Sequence, residues 1–327
     1  MQFCIYGAGA SGGHFAIKLA RAGHDVSLIA RGAHLAAIRE NGLHLQTGGE
    51  VMTAKLAATD DPRALGPQEI VIVATKATAL PSIATQIGPL IGEDTLVIFP
   101  QNGMTWWYPL GLASHCPKPP ELPVFELAKP FLAAMRPDQV LGGIIYSANE
   151  IASPGVIKNN SPEHNRLEFA QLSGPASDRL SAIRQVLEGA GIISPVPSDI
   201  RAALWTKLLN NMSGSTIALA TRGTSDAVRN DPALSEIYCR VVREGLSISA
   251  AHGYPLADRM DPERMLARLI HHKPSLLQDY EAGRPMEIAE IVLAPIAFAR
   301  AAEIATPTLD TLGAIVGKLA RDRGLLA

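Results

Sequence analysis

The strongest constraint on this chain lies near its start, where Gly7-Ala8-Gly9-Ala10-Ser11-Gly12 follows the apolar run Phe3 to Tyr6 and leads into a helical pattern. A GxGxxG run between a strand and a helix has a specific mechanical meaning. Gly7 permits a tight turn, Gly9 lets the backbone approach a pyrophosphate, and Gly12 lets the helix pack closely on its strand. Amides at the head of the helix then face a negatively charged diphosphate, which the helix dipole favours. Gly7, Ala8, Gly9, Ala10, Ser11 and Gly12 are therefore the expected dinucleotide-binding residues. A glycine turn without a ligand, or a flavin dinucleotide, is the alternative.

A second strand is expected over Asp25 to Ala30, followed at once by Arg31. A site that prefers NADH presents Asp or Glu at this point to the ribose hydroxyls. A guanidinium instead attracts the 2'-phosphate of NADPH, so NADPH is the expected cofactor. The plainer reading of Arg31 is a solvated surface arginine.

Apolar strands at Gln68 to Thr75 and Thr95 to Pro100, with a helix over Leu80 to Ile87, imply a mostly parallel sheet covered on both faces. Lys76 and the Gln101-Asn102-Gly103 loop follow strand ends, where open α/β sheets bind ligands. Asn102 can donate and accept at once; ordinary loop capping is the alternative for both loops. Leu43 to Ala58 resembles a hairpin-like extension bent at glycines. The proline-rich stretch from Met104 to Pro137, with Trp106-Trp107-Tyr108, reads as an irregular excursion containing one helix around Phe125 to Met135. Strand patterning returns at Gly142 to Asn149, Gly155 to Asn159 and Arg166 to Leu172. A helix over Pro175 to Glu188 and an edge strand at Ile192-Ile193 complete this half.

From Asp199 onward only helices are expected, over 200–220, 232–252, 262–270, 288–305 and 309–321. The change of texture places a boundary near Pro197-Ser198. It divides the chain into an NADP-binding domain, 1–197, and a helical substrate and dimerisation domain, 198–327.

A net charge of −2 gives no global positive field to draw in nucleic acid or anionic lipid. No apolar run reaches the roughly 18 residues of a membrane span. Without a basic head ahead of the first strand, a cytoplasmic location is expected. Cys4, Cys116 and Cys239 form no disulfide framework, and Cys4 reads as a small buried hydrophobe. His271 and His272 lack ligand spacing, so no metal is expected.

A nicotinamide supplies a hydride but no proton, so the protein must provide an acid. Lys207 lies in LWTKLLNNMSGS and shares a helix face with Asn211 four residues on. A lysine shielded from water yields its proton more readily, which suits this task; a lysine snorkelling from an amphipathic helix is the alternative. Ser275 and Asp279 are again four apart, and Glu287 begins the next helix, where the dipole favours a carboxylate. N-capping for Ser275 and a surface ion pair for Glu287 are the plainer readings.

As an ordered set, GAGASG, Arg31, Lys76, Gln101-Asn102-Gly103, Trp205-x-Lys207 and Ser275…Asp279…Glu287 resemble the ketopantoate reductase family of NADPH-dependent 2-oxoacid reductases, over almost the whole length. The resemblance implies a Rossmann-type α/β dinucleotide-binding domain followed by an all-helical domain like the C-terminal domain of 6-phosphogluconate dehydrogenase, with the active site in the cleft between them. It also implies Lys207 as general acid and Glu287 as the residue ordering ligand and lysine. Asn211 and Ser275 then match substrate-binding positions, Asn102 and Lys76 match cofactor-side positions, and Asp279 orients its neighbours. The chain departs from the pattern at Ser215, a substrate-side position where the family has asparagine. It departs again at 288–294, where an Asp and an Asn-Gly pair are replaced, and at Trp106-Trp107-Tyr108. Such a lining suits a bulkier or more apolar 2-oxo acid. The expected partner is that small molecule, and a symmetric homodimer is the default assembly. An NADP-dependent dehydrogenase of another alcohol or amino compound, and a non-catalytic NADPH-binding regulator, remain the competing readings.

Overall fold

The computed structural model describes residues 1–174 and 177–326. The chain separates into two compact units, Met1–Gln101 with Leu127–Ile200, and Asn102–Glu126 with Arg201–Ala327.

The first unit opens with β1 (Gln2–Tyr6), α1 (Ala10–Arg21), β2 (Asp25–Ile29) and α2 (Gly32–Asn41). Gly23, at φ +88, turns the chain out of α1, its N–H bonding to the Ala20 carbonyl. A hairpin of β3 (Leu43–Thr47) and β4 (Glu50–Ala54) follows, bent at Gly48 and Gly49, and then β5 (Ala57–Thr59). After β6 (Ile70–Val73), α3 (Leu80–Gln86) leads to β7 (Leu96–Phe99). β1, β2, β5, β6, β7 and β8 (Val140–Tyr146) run parallel, and β11 (Arg166–Gln171) closes one edge antiparallel, in the order β11-β8-β7-β6-β1-β2-β5. Ile70–Val73 and Leu96–Phe99 are buried along their whole length, as a sheet covered on both faces requires. Phe3, Ile5, Ile17, Leu28, Ile72 and Ile98 form the heart of this core.

The hairpin is more than decoration. β3 also pairs with β10 (Val156–Asn159), which pairs with β9 (Asn149–Ser153), so four strands form a second sheet in the order β4-β3-β10-β9. Two short helices, α4 (Pro123–Glu126) and α5 (Ala128–Ala134), replace the single one expected around Phe125 to Met135. Ile193 makes one bridge, to Arg166, instead of an edge strand, because the chain leaves the sheet at Pro195. The helix expected from Pro175 is α6 (Asp178–Gly189); Pro175 lies outside the described residues.

The second unit is built on α7 (Ile200–Thr221), α8 (Ser225–Asn230), α9 (Pro232–Ala251), α10 (Pro262–Ala267), α11 (Ser275–Glu281), α12 (Ala294–Ala301) and α13 (Pro307–Asp322). Asp-Pro pairs start two of these helices. Asp231 accepts from the N–H groups of Ala233 and Leu234, and Asp261 from that of Arg264, while each proline fills the first helical position. α8, six residues long, is too short for an apolar period to show in the sequence. The helix expected over 288–305 differs most: it enters through a π-turn over Ala289–Leu293 and ends at Ala301, after which Glu303 takes φ +54.

Trp106, Trp107 and Tyr108 belong to the core of this unit. Tyr108 accepts a hydrogen bond from Trp205 Nε1 at 3.1 Å and packs edge-on against Phe298, and its carbonyl accepts from buried Arg201 at 2.8 Å. The aromatic run anchors the start of α7. Among the described residues no helix is long and apolar enough to cross a membrane.

Candidate functional site

The β1–α1 turn is built as the glycine spacing requires. Gly7 sits at φ +100, and a Cβ there would lie 2.4 Å from Thr75 Cγ2; one on Gly12 would lie 2.0 Å from the Gly7 carbonyl oxygen. A side chain at Gly12 would have to move backbone, and one at Gly7 would meet the Thr75 methyl from a left-handed backbone conformation. The N–H groups of Gly7 and Ala8 both bond to the Ile29 carbonyl, at 2.9 and 3.1 Å, which fixes the turn against β2. Helix geometry leaves the N–H groups of Ala10, Ser11 and Gly12 without intrahelical acceptors, facing outward from the end of α1.

Beside this turn lies a cleft of about 230 Å³, lined by Tyr6, Gly7, Ala8, Gly9, Ile29, Ala30, Arg31, His34, Thr75, Ala79 and Ile83. Its walls are apolar at Ile29, Ala30, Ala79 and Ile83, a surface suited to a flat aromatic ring. Its one formal charge is Arg31, and no lining residue is acidic. Arg31 is exposed at the N-terminus of α2 and interacts with the Tyr6 hydroxyl. Burial pushes that phenol above its usual range, against the pull of the guanidinium.

His34 holds the cleft together. The N–H of Gly155 donates to Nδ1 at 2.9 Å, so Nε2 carries the proton and donates to the Ala8 carbonyl at 2.7 Å. Thr75 Oγ1 is shielded from solvent with no hydrogen-bond partner, beside Gly7. An orphan hydroxyl, open helix amides and a guanidinium fit the ribose and phosphates of a dinucleotide. Lys76 is partly buried just after β6. Gln101, by contrast, is structural: its Nε2 bonds the Val73 carbonyl at 2.6 Å, tying the end of β7 to β6.

In the helical unit, Asn102 Nδ2 donates to Glu287 Oε2 at 3.4 Å. The N–H of Met104 donates to the Glu290 carbonyl at 2.8 Å, and a Cβ on Gly103 would lie 2.6 Å from the Glu290 carbonyl carbon. Three consecutive residues thus clamp the turn that carries Glu287. Glu287 is 4% exposed, which excludes the surface ion pair. Glu290 is partly buried and its Oε2 is cut off from solvent without a partner. Burial, with a like-charge push from Glu287, raises its carboxyl to about 7.

Lys207, Asn211 and Ser215 recur every four residues along α7, on one face. Lys207 and Asn211 are partly buried and Ser215 is buried. Thr206, Ser213, Thr216 and Thr221 on the same helix turn back to carbonyls four residues earlier. Asn211 and Ser215 make no such bond among the described residues. Ser275 is exposed as the first residue of α11, after Pro274 at the cap. Asp279 is buried and paired with Arg284 Nε at 3.0 Å. No cluster of three or more potential metal ligands occurs among the described residues.

Sequence reasoning missed Thr75, His34 and Glu290. Thr75 and His34 carried no signal beyond closing the expected strand over Gln68 to Thr75 and standing three residues past Arg31. Glu290 could have been found from its spacing, three residues after Glu287 on a helical pattern.

The family model described as Ketopantoate reductase PanE/ApbA matches residues 3–174, and that of the family's C-terminal region matches residues 199–320. A 2-dehydropantoate 2-reductase of Mesorhizobium japonicum is 36% identical over 326 residues, covering 99% of both chains. A crystal structure from Ralstonia solanacearum described as a ketopantoate reductase is 34% identical with a TM-score of 0.88, again covering 99% of both chains. The ternary structure of D-mandelate dehydrogenase with NADH and anilino(oxo)acetate shares the fold at a TM-score of 0.84 and 20% identity, covering 99% of this chain and 100% of that one.

Proposed function

The chain belongs to the ketopantoate reductase family, and from that premise we propose that it reduces a 2-oxo acid to the 2-hydroxy acid with NADPH, its substrate being ketopantoate or a close relative. The observation that carries the choice of NADPH is the cleft beside the glycine turn, in which Arg31 is the only charge and no carboxylate stands. An adenosine 2'-phosphate would be repelled by an acidic lining and is attracted by this one.

When bound, the cofactor supplies a hydride to the keto carbon. The ammonium of Lys207 gives a proton to the carbonyl oxygen, so the ketone takes up one hydride and one proton and leaves as the alcohol. Glu287 orders this machinery, itself held by Asn102. Asn211 and Ser275 bind the substrate's polar groups, and Lys76 serves the cofactor side. Asp279, engaged by Arg284, orients its neighbours on the substrate side.

One observation favours a substrate larger than ketopantoate. Ser215, buried one turn beyond Asn211, is shorter than the asparagine that the family pattern carries there. The deciding experiment measures oxidation of NADPH and of NADH against a panel of 2-oxo acids that includes ketopantoate. Turnover with NADPH, several-fold faster than with NADH, is the expected result. Tight NADPH binding without oxidation by any oxo acid would make the protein a regulator rather than a reductase.

A further inference from the structure

We infer that His34 is a positioning residue for the cofactor: by holding the Ala8 carbonyl it fixes the peptide unit that leads into Gly9, and with it the amide edge offered to a diphosphate. The inference rests on the reading of the glycine turn as a dinucleotide site.

The contacts lie within the first unit. The first backbone bond of α1 runs from the Gly13 N–H to the Gly9 carbonyl at 2.7 Å, so the Ala8 oxygen stands one residue ahead of the helical ladder. There it takes its donor from a side chain, His34 Nε2 at 2.7 Å. The N–H of Ala8 is engaged by the Ile29 carbonyl, so both its backbone polar groups are held before the chain reaches Gly9. A trans peptide is planar, and its oxygen and hydrogen point opposite ways. With the oxygen turned onto the imidazole, the Gly9 N–H points away from it. The carbonyl dipole, which opposes a phosphate, is met by a donor, while the amides that favour an anion stay free. Gly9 itself leaves space for such an approach, since a Cβ there would meet nothing within 4 Å.

The imidazole is aimed from its other side. Gly155, in the turn between β9 and β10, donates its N–H to Nδ1 at 2.9 Å, which leaves the proton on Nε2 for Ala8. Gly155 is itself fixed: its carbonyl accepts from the His44 N–H of β3 at 2.9 Å, and a Cβ on it would lie 3.1 Å from Ala37 Cβ of α2. The second sheet thus reaches the cofactor turn through one ring. His34 shares the cleft with Arg31, three residues earlier, but the two differ in what they serve. A guanidinium answers to the 2'-phosphate that only NADPH carries, whereas the Ala8–Gly9 peptide answers to the diphosphate that NADPH and NADH share.

Three substitutions at this position separate aiming from mere support. Gln places an amide nitrogen near the site of Nε2 and keeps a donor for Ala8. Asn is shorter and keeps only an acceptor for Gly155, and Leu keeps neither. Calorimetry at pH 8 measures Kd for NADPH, NADH and adenosine 2'-monophosphate, which has the 2'-phosphate but no diphosphate. H34L and H34N should weaken NADPH and NADH alike, by roughly five- to twentyfold, the worth of one bond that orders a charged contact. H34Q should stay within about threefold of the wild type. Adenosine 2'-monophosphate should bind the variants and the wild type equally. Unchanged dinucleotide affinity in H34L and H34N, a parallel loss of adenosine 2'-monophosphate, or better retention by H34N than by H34Q overturns the inference. If H34L fails to fold, the Gln and Asn variants decide the matter between them. A wild type that binds neither NADPH nor NADH defeats the cofactor reading itself; a wild type that binds both, with variants that match it, defeats only the role of His34.

Discussion

Asn102 and Glu287 stand 185 positions apart in the chain, yet the amide of one lies 3.4 Å from the carboxylate of the other. The loop that follows β7 therefore serves the helical unit, its asparagine donating to a carboxylate there. A separation of 3.4 Å is long for a charge-assisted bond, and such contacts commonly tighten when substrate binds. Removing the amide leaves a buried carboxylate short of a donor, at a cost of about 1–3 kcal/mol. Asn102→Ala should lower kcat/KM by roughly 10- to 100-fold. In a double-mutant cycle with Glu287→Gln the two losses should fall well short of additive. Strict additivity would show that the contact has no part in turnover.

Gly103 tests the clamp without touching a functional group. Its φ is +77, and a Cβ would enter the Glu290 backbone at 2.6 Å. Gly103→Ala should destabilise the protein by more than about 2 kcal/mol, combining a left-handed backbone with a clash against main chain. Equilibrium denaturation reads the change, and a loss under about 0.5 kcal/mol would mean that the loop relaxes freely.

Most of this architecture is legible from the sequence, for a physical reason. Buried parallel strands such as Ile70–Val73 are written as unbroken apolar runs, and the turn at Gly7 admits no other residue. The spacing of Lys207, Asn211 and Ser215 likewise declares one helix face. What the sequence hides is long-range pairing. Nothing near β3 indicates that it pairs with β10, more than a hundred residues away, and nothing near Tyr108 indicates its bond to Trp205. The π-turn at Ala289–Leu293 is likewise hidden, and the Met104 amide that bonds its Glu290 carbonyl comes from elsewhere in the chain.

Lys207 carries the proton in the proposed reaction. Lys207→Ala should reduce kcat by about 10²- to 10⁴-fold, the usual worth of a positioned acid. The Kd for NADPH, measured by fluorescence or calorimetry, should change little. Preserved turnover would reassign the acid; a large loss of NADPH affinity would make Lys207 a cofactor ligand.

In the proposed function Arg31 is the residue that would favour NADPH over NADH. Among the described residues that line the cleft beside the glycine turn, it is the one with a formal charge. Arg31→Ala should weaken NADPH about 10- to 100-fold while leaving NADH nearly unchanged. Arg31→Glu should go further and reverse the preference by repelling the 2'-phosphate. Unchanged discrimination between the two, by Kd and by kcat/KM, would place recognition of that phosphate elsewhere.

His14 gives the fold a built-in sensitivity to acid. It is fully buried in α1, neither ring nitrogen has a hydrogen-bond partner, and its pKa is lowered to about 3 by burial, with a further push from Lys18. The unfolded chain has no such restraint, and its imidazole binds a proton near pH 6.5. Between these two values the unfolded state holds a proton that the native state refuses. The stability contributed by neutral His14 is thus fully present above about pH 6.5 and is lost as pH falls toward 3. At pH 4.5 the loss should be on the order of 2 kcal/mol relative to pH 7. His14→Leu, which keeps an apolar side chain in the same space, should remove that component, so its urea midpoints at pH 7 and pH 4.5 should lie closer together than those of the wild type. Parallel losses in the two proteins would show that the histidine accommodates its charge, through water or movement of α1, and that carboxylates elsewhere govern acid unfolding.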